Sequence, residues 1–152
     1  MNKKPNGYLL TELLLLCGCL GLLFTALAWC NVPLVRQYYK EQLRLAAYTM
    51  ASDIRNMQQQ TIFQAQNNMY TLRLSSSNQY GYILYCNNKV DRRVQFTDVV
   101  LEGDSQMKVL SYSENGNPTA SGSYRLRHSQ LTDSSYLLTV QPVTGRVTIY
   151  EK

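Results

Sequence analysis

From Leu13 to Val35 the chain runs for 23 residues without a charged side chain. As a helix this stretch measures about 34 Å at roughly 1.5 Å per residue, enough to cross a hydrocarbon layer of about 30 Å. Lys3 and Lys4 stand before it, Arg36 and Lys40 after it. One acid, Glu12, sits at its head, within Gly7-Tyr8-Leu9-Leu10-Thr11-Glu12-Leu13. A carboxylate at the bilayer centre costs roughly 2.5–3.5 kcal/mol, and less towards the interface. Glu12 therefore calls for a compensating partner. The lysine-bearing end is expected on the cytoplasmic side, although the charges flanking the run are nearly balanced.

Past the membrane the helix is expected to continue. Asn31 and Pro33 should interrupt it, because an interior proline loses one backbone hydrogen bond and crowds the preceding turn. Neighbouring helices or water can satisfy the freed carbonyl. From Leu43 onward, Leu43, Ala46, Ala47, Met50, Ile54, Met57 and Thr61 recur at three- and four-residue steps. Arg44, Asp53, Arg55 and Gln58 are read as lying off that stripe. One apolar stripe means one buried face, ordinary core and no ligand site. Asn67-Asn68 should end the helix.

Beyond it the period changes to two. Met69–Leu74, Tyr80–Cys86, Arg93–Thr97, Met107–Tyr112, Ser123–Arg127, Tyr136–Gln141 and Arg146–Tyr150 are predicted strands, rich in Val, Ile, Leu and Tyr. Ser75-Ser76-Ser77-Asn78, Glu102-Gly103-Asp104, Glu114-Asn115-Gly116-Asn117-Pro118 and Thr132-Asp133-Ser134-Ser135 are predicted turns. Thr144-Gly145 is the expected tip of the last hairpin. The predicted fold class is α+β: a long N-terminal transmembrane helix whose continuation packs on a C-terminal antiparallel β-sandwich. The 12 tyrosines suit such a domain, since Tyr buries its ring at a strand edge and keeps its hydroxyl wet.

Site chemistry is sparse. Cys17, Cys19 and Cys30 lie in the apolar run, and Cys86 stands alone within Tyr82-Ile83-Leu84-Tyr85-Cys86 as an expected buried thiol. The single His128 has no nearby cysteine, so neither metal nor cofactor is expected. Asp98, Glu102 and Asp104 are read as solvated turn residues, there is no phosphate-cradling glycine loop, and no enzyme is expected. With 15 basic and 10 acidic residues the chain carries +5, short of a nucleic-acid-binding tail. Leu16-Cys17-Gly18-Cys19 resembles a bacterial lipobox, which would put lipid on Cys19. Glu12 would break the core of such a signal, and the apolar run does not stop near that cysteine.

Gly7 followed by an aromatic residue, with Glu four positions after it, resembles the processing site of type IV prepilins and pseudopilins. The resemblance implies cleavage between Gly7 and Tyr8 by a prepilin peptidase and N-methylation of Tyr8. Glycine admits the protease close to an extended backbone. It also implies that Glu12 pairs with the freed amino terminus of a neighbouring subunit, which answers the cost of an acid in a dry setting. The implied boundaries are a leader over residues 1–7, a transmembrane and assembly helix over 8–35, an amphipathic continuation over 36–68 and a β domain over 69–152.

Ala51-Ser52-Asp53-Ile54-Arg55 and Gln58-Gln59-Gln60 on the helix add to the likeness. So do the glycine-turn strand pair Val109–Ser123 and the ending Thr144-Gly145-Arg146-Val147-Thr148-Ile149-Tyr150. Together they resemble minor pilins of the GspH/FimT group, most nearly the ComGD type of the competence pseudopilus that imports DNA. Implied partners are other pilin subunits, the peptidase and the cell membrane, with the C-terminal domain outside and at the cell surface once in the filament. A GspH-like subunit of type II secretion, or a membrane-anchored binding module outside any filament, remain alternatives. Some relatives of the FimT branch hold DNA through Gly-Arg-x-Arg. Here Gly145-Arg146-Val147-Thr148 lacks the second arginine, which leaves Arg125, Arg127 and Arg146 as candidate DNA contacts, with Arg92-Arg93 also basic.

Overall fold

The computed structural model describes residues 8–63, 69–75 and 79–152. Gly7, the Asn67-Asn68 helix end and most of the Ser75–Asn78 turn lie outside them. The element order is α1 (Tyr8–Phe63), then β1 (Tyr70–Leu74), β2 (Gly81–Cys86), β3 (Lys89–Gln95), β4 (Val99–Gly103), β5 (Val109–Ser111), β6 (Gly122–His128), β7 (Ser135–Val140) and β8 (Val147–Glu151). The chain divides into two compact units between Tyr38 and Tyr39.

The first unit is helix. The interruption expected at Asn31 and Pro33 is not a break, because helical geometry continues through Pro33. Proline's fixed φ is itself helical, so what the position loses is one N–H.

In the second unit the stripe is buried as its spacing requires. Leu43, Ala46, Ala47, Met50, Ile54 and Met57 face the core, and Thr61 returns its hydroxyl to the Met57 carbonyl at 2.8 Å. Asp53 departs from expectation. It lies on the buried side, 7% exposed.

Among the described residues eight strands form two four-stranded antiparallel sheets, ordered β3-β2-β1-β5 and β4-β6-β7-β8. Leu72, Tyr82 and Leu110 from the first, Leu101, Tyr124, Leu126 and Leu138 from the second, and the helical stripe make one core. Each fully buried Leu or Met contributes about 1.5–3 kcal/mol relative to exposure.

β4 has no counterpart among the expected strands, and β3 begins four residues before the expected Arg93–Thr97. β4 ends in Glu102-Gly103, residues of turn character, yet Val99 and Leu101 alternate into the core. β3 is an edge strand carrying charge in place of apolar alternation, a usual defence of an exposed edge. It starts directly after a two-residue turn, Asn87-Asn88, with φ of 49° and 65° as a type I′ hairpin requires. Cys86 is half-buried at the end of β2, not enclosed.

Tyrosines do more than sit at strand edges. Tyr82, Tyr112, Tyr124 and Tyr136 are buried outright. The Tyr82 hydroxyl donates to Asp53 Oδ2 at 2.7 Å and that of Tyr112 to the Gly145 carbonyl at 3.2 Å.

Candidate functional site

Every described side chain from Leu10 to Trp29 is exposed, including Leu13, Leu16, Leu23, Phe24 and, at 84%, Trp29. An apolar surface of that length is unstable against water and demands lipid or other helices. By length and composition this helix is able to cross a membrane. Glu12 lies exposed on it, one turn past the helix start at Tyr8. Gly18 and Gly21 offer further contact: a Cβ added at either meets nothing within 4 Å, so another backbone has room to approach there.

The α1 segment in the second unit is pinned to the sheets by polar groups. Asp53 accepts the Tyr82 hydroxyl through Oδ2 and, at 3.2 Å, Arg92 through Oδ1. Burial, and next the adjacent Asp53, push the Tyr82 hydroxyl far up from its ordinary value. Gln58 Nε2 donates to the carbonyls of Gly116 and Thr144, both at 2.9 Å, and Arg55 to that of Val147 at 3.2 Å. These bonds hold the Ser113–Pro118 and Gln141–Arg146 turns against one helix face. Sequence spacing could not have found them, because the partners are 58 to 92 residues apart.

The candidate DNA arginines separate into two groups. On β6 the burial alternation leaves Arg125 and Arg127 on the outer face. Glu102 stands beside both: it forms an ion pair with Arg127 and is the cross-strand neighbour of Arg125. Glu102 is thus a paired strand residue, not the solvated turn residue expected. Arg146 is exposed in the turn between β7 and β8. It lies four residues from Tyr150, which shares a cross-strand row with Leu137 and Arg125, so its backbone is about 13 Å along the strand from that row. Arg92 is engaged by Asp53. Among the described residues no three His, Cys, Asp or Glu side chains converge as a metal site requires.

His128 is buried, its ring stacked on Tyr39 with centroids 4.5 Å apart, and its Nδ1 accepts the Gln130 N–H at 3.1 Å. The ring is part of the packing between α1 and the end of β6.

Among solved structures the chain is similar to the type IV minor pilin FimU of Pseudomonas aeruginosa in two crystal forms. In space group P65 the TM-score is 0.57 at 14% identity, covering 71% of this chain and 92% of that one. In P21 it is 0.59 at 13% identity, covering 73% and 90%. No family model matches the chain, and no curated protein matches it in sequence. The fold, a long apolar N-terminal helix packed on antiparallel sheets, is that of the type IV pilins.

Proposed function

We propose that this chain is a minor pilin or pseudopilin subunit of a type IV filament. The observation that carries the reading is the exposed apolar first part of α1, bearing one acid at its head, joined to a domain with a core of its own. Its helix needs a bilayer first and neighbouring helices afterwards. A filament of packed helices supplies the second environment.

In this reading residues 1–7 are a leader removed by prepilin peptidase, and Tyr8 becomes the N-methylated terminus. Residues 8–35 span the membrane and then line the filament core, while 36–68 and 69–152 form the external part. Glu12 guides docking, its carboxylate neutralised by a neighbour's terminal ammonium in surroundings where an unpaired charge is costly. The chain performs no catalysis. The competence pseudopilus is the machine favoured, on the tail motifs around Gly116 and Gly145-Arg146, with DNA contacts at Arg125, Arg127 and Arg146. A secretion pseudopilus would use the same head.

The test is the intact mass of the protein from cells with and without prepilin peptidase, together with the sheared-filament fraction of Glu12→Ala. Loss of residues 1–7 and gain of one methyl group only when the peptidase is present, with the variant missing from filaments, is expected. A mature protein beginning at Met1, or lipid on Cys19, overturns the proposal.

A further inference from the structure

The cationic surface least compromised by acids is not the one the C-terminal arginines form. In β1, β2 and β3, Leu72, Leu84 and Val94 turn to the core, so Thr71, Arg73, Ile83, Tyr85, Arg93 and Gln95 take the opposite face. Register places Arg73, Ile83 and Arg93 in one row across three strands. The two arginine backbones are therefore about 10 Å apart, two strand spacings. Neither is paired with a carboxylate among the described residues. Asp91 lies exposed in the β2–β3 irregularity, outside the Arg73–Ile83–Arg93 row.

Arg73 is also held in place. Its guanidinium lies 4.9 Å from the Tyr85 ring centroid, and Nη2 donates to Asn88 Oδ1 at 3.4 Å. A guanidinium fixed on an aromatic ring loses little freedom on binding, and its free plane can take a stacked base. Beside Arg93 a groove of about 290 Å³ opens, with Ser75, Tyr80 and Gln95 along its wall. Cations for phosphate, a stacking layer and hydrogen-bonding side chains thus share one sheet face.

We propose that the outer face of β1-β2-β3 binds a single-stranded nucleic acid, phosphates at Arg73 and Arg93 and a base against the Arg73–Tyr85 layer. A duplex hides its base faces and could use only the two cations, so a single strand should bind more tightly. The inference extends the nucleic-acid part of the proposed function to a different surface, and it does not depend on which machine the filament serves.

The full chain in phosphatidylcholine nanodiscs would be titrated against labelled oligo-dT and a duplex of equal length, read by fluorescence anisotropy. Wild type should prefer the single strand by about tenfold, as one stacked base allows. Arg73→Ser/Arg93→Ser should lose at least about tenfold and flatten the salt dependence by roughly 1.4 in log–log slope, the loss of two phosphate contacts. Arg93→Lys should keep that slope, and Arg125→Ser/Arg127→Ser/Arg146→Ser, which removes the separate phosphate contacts of the proposed function, should weaken single strand and duplex alike and leave the preference between them unchanged. Absence of binding by wild type, equal affinity for the duplex, or an unaffected Arg73→Ser/Arg93→Ser variant overturns the proposal. Since processing and Glu12-dependent assembly are read by mass and shearing, such a failure would leave the filament reading standing.

Discussion

Asp53 is the residue whose removal should tell most about how the domain holds its helix. Asp53 is 7% exposed and meets the hydroxyl of Tyr82, itself 1% exposed, at 2.7 Å. A hydrogen bond to a charged group in such a setting contributes about 1.5–3 kcal/mol. Arg92 is different, since its side chain is 56% exposed and its pairing is screened, leaving about 0.5 kcal/mol. Tyr82→Phe should therefore cost about 2 kcal/mol. Asp53→Ala should cost at least as much, because it also leaves the Tyr82 hydroxyl buried with no acceptor. The double variant removes both halves of the bond, so it should cost less than the two single losses added, by about 1.5 kcal/mol.

Thermal unfolding of the full chain in nanodiscs, followed by tyrosine near-ultraviolet circular dichroism, reads these differences. For a unit spanning residues 39–152, about 4 °C per kcal/mol puts Tyr82→Phe roughly 8 °C below wild type. Arg92→Ala should fall by about 2 °C by the same conversion. Equal effects of the Tyr82 and Arg92 changes, or losses that simply add in the double variant, would refute the assignment of a coupled buried bond.

Gly145 adopts φ +64°, and a Cβ there would lie 2.6 Å from Tyr112 Cε1 and 2.9 Å from the Gly116 carbonyl oxygen; Gly145→Ala should destabilise the second unit by about 2 kcal/mol in the same melts, whereas Gly18→Ala should leave that melt unchanged. The Tyr124 hydroxyl is buried without a hydrogen-bond partner among the described residues, so Tyr124→Phe should be neutral or stabilising by up to about 1 kcal/mol, in contrast to Tyr82→Phe. Burial holds His128 below its ordinary value, against a smaller opposing pull from Asp98. The folded state thus favours the neutral ring, and its contribution is complete above the unfolded value of about 6.5 and lost as pH falls from there towards the depressed folded value. His128→Asn should flatten the stability–pH curve over that acidic window, and an unchanged slope would exclude His128 as its source.

What could be seen in the sequence was whatever repeats locally. The uncharged run and the helical stripe depend on spacings of one to four residues, and both are where they were expected. Asp53 sits at a position the stripe's own period reaches, but a carboxylate on a helix is ordinarily solvated. Tyr82 and Arg92, 29 and 39 residues away, make its burial tolerable. The same blindness hid β4: Glu102 looks like a turn residue until Arg127, 25 positions later, comes alongside. β3 was displaced because an edge strand defends itself with the charges that normally signal a loop. The arginine row on β1-β2-β3 depends wholly on register, which no single strand contains.

The two units differ in how their apolar side chains are covered, and that difference separates the roles of the two acids. Asp53 has its hydrogen-bond partners inside its own chain, so its replacement should lower domain stability in an isolated subunit, whatever filament is present. Glu12 stands on an exposed apolar helix in a unit that contributes nothing to the described core. If a neighbour's terminal ammonium is its partner, Glu12→Ala should leave the melting of residues 39–152 unchanged while filament incorporation is lost. The physical reason is that a charge pair formed only on assembly is absent from the free subunit's stability. A Glu12→Ala protein that melts early as a monomer in nanodiscs would show instead that this carboxylate serves its own chain, and the docking role would have to be withdrawn.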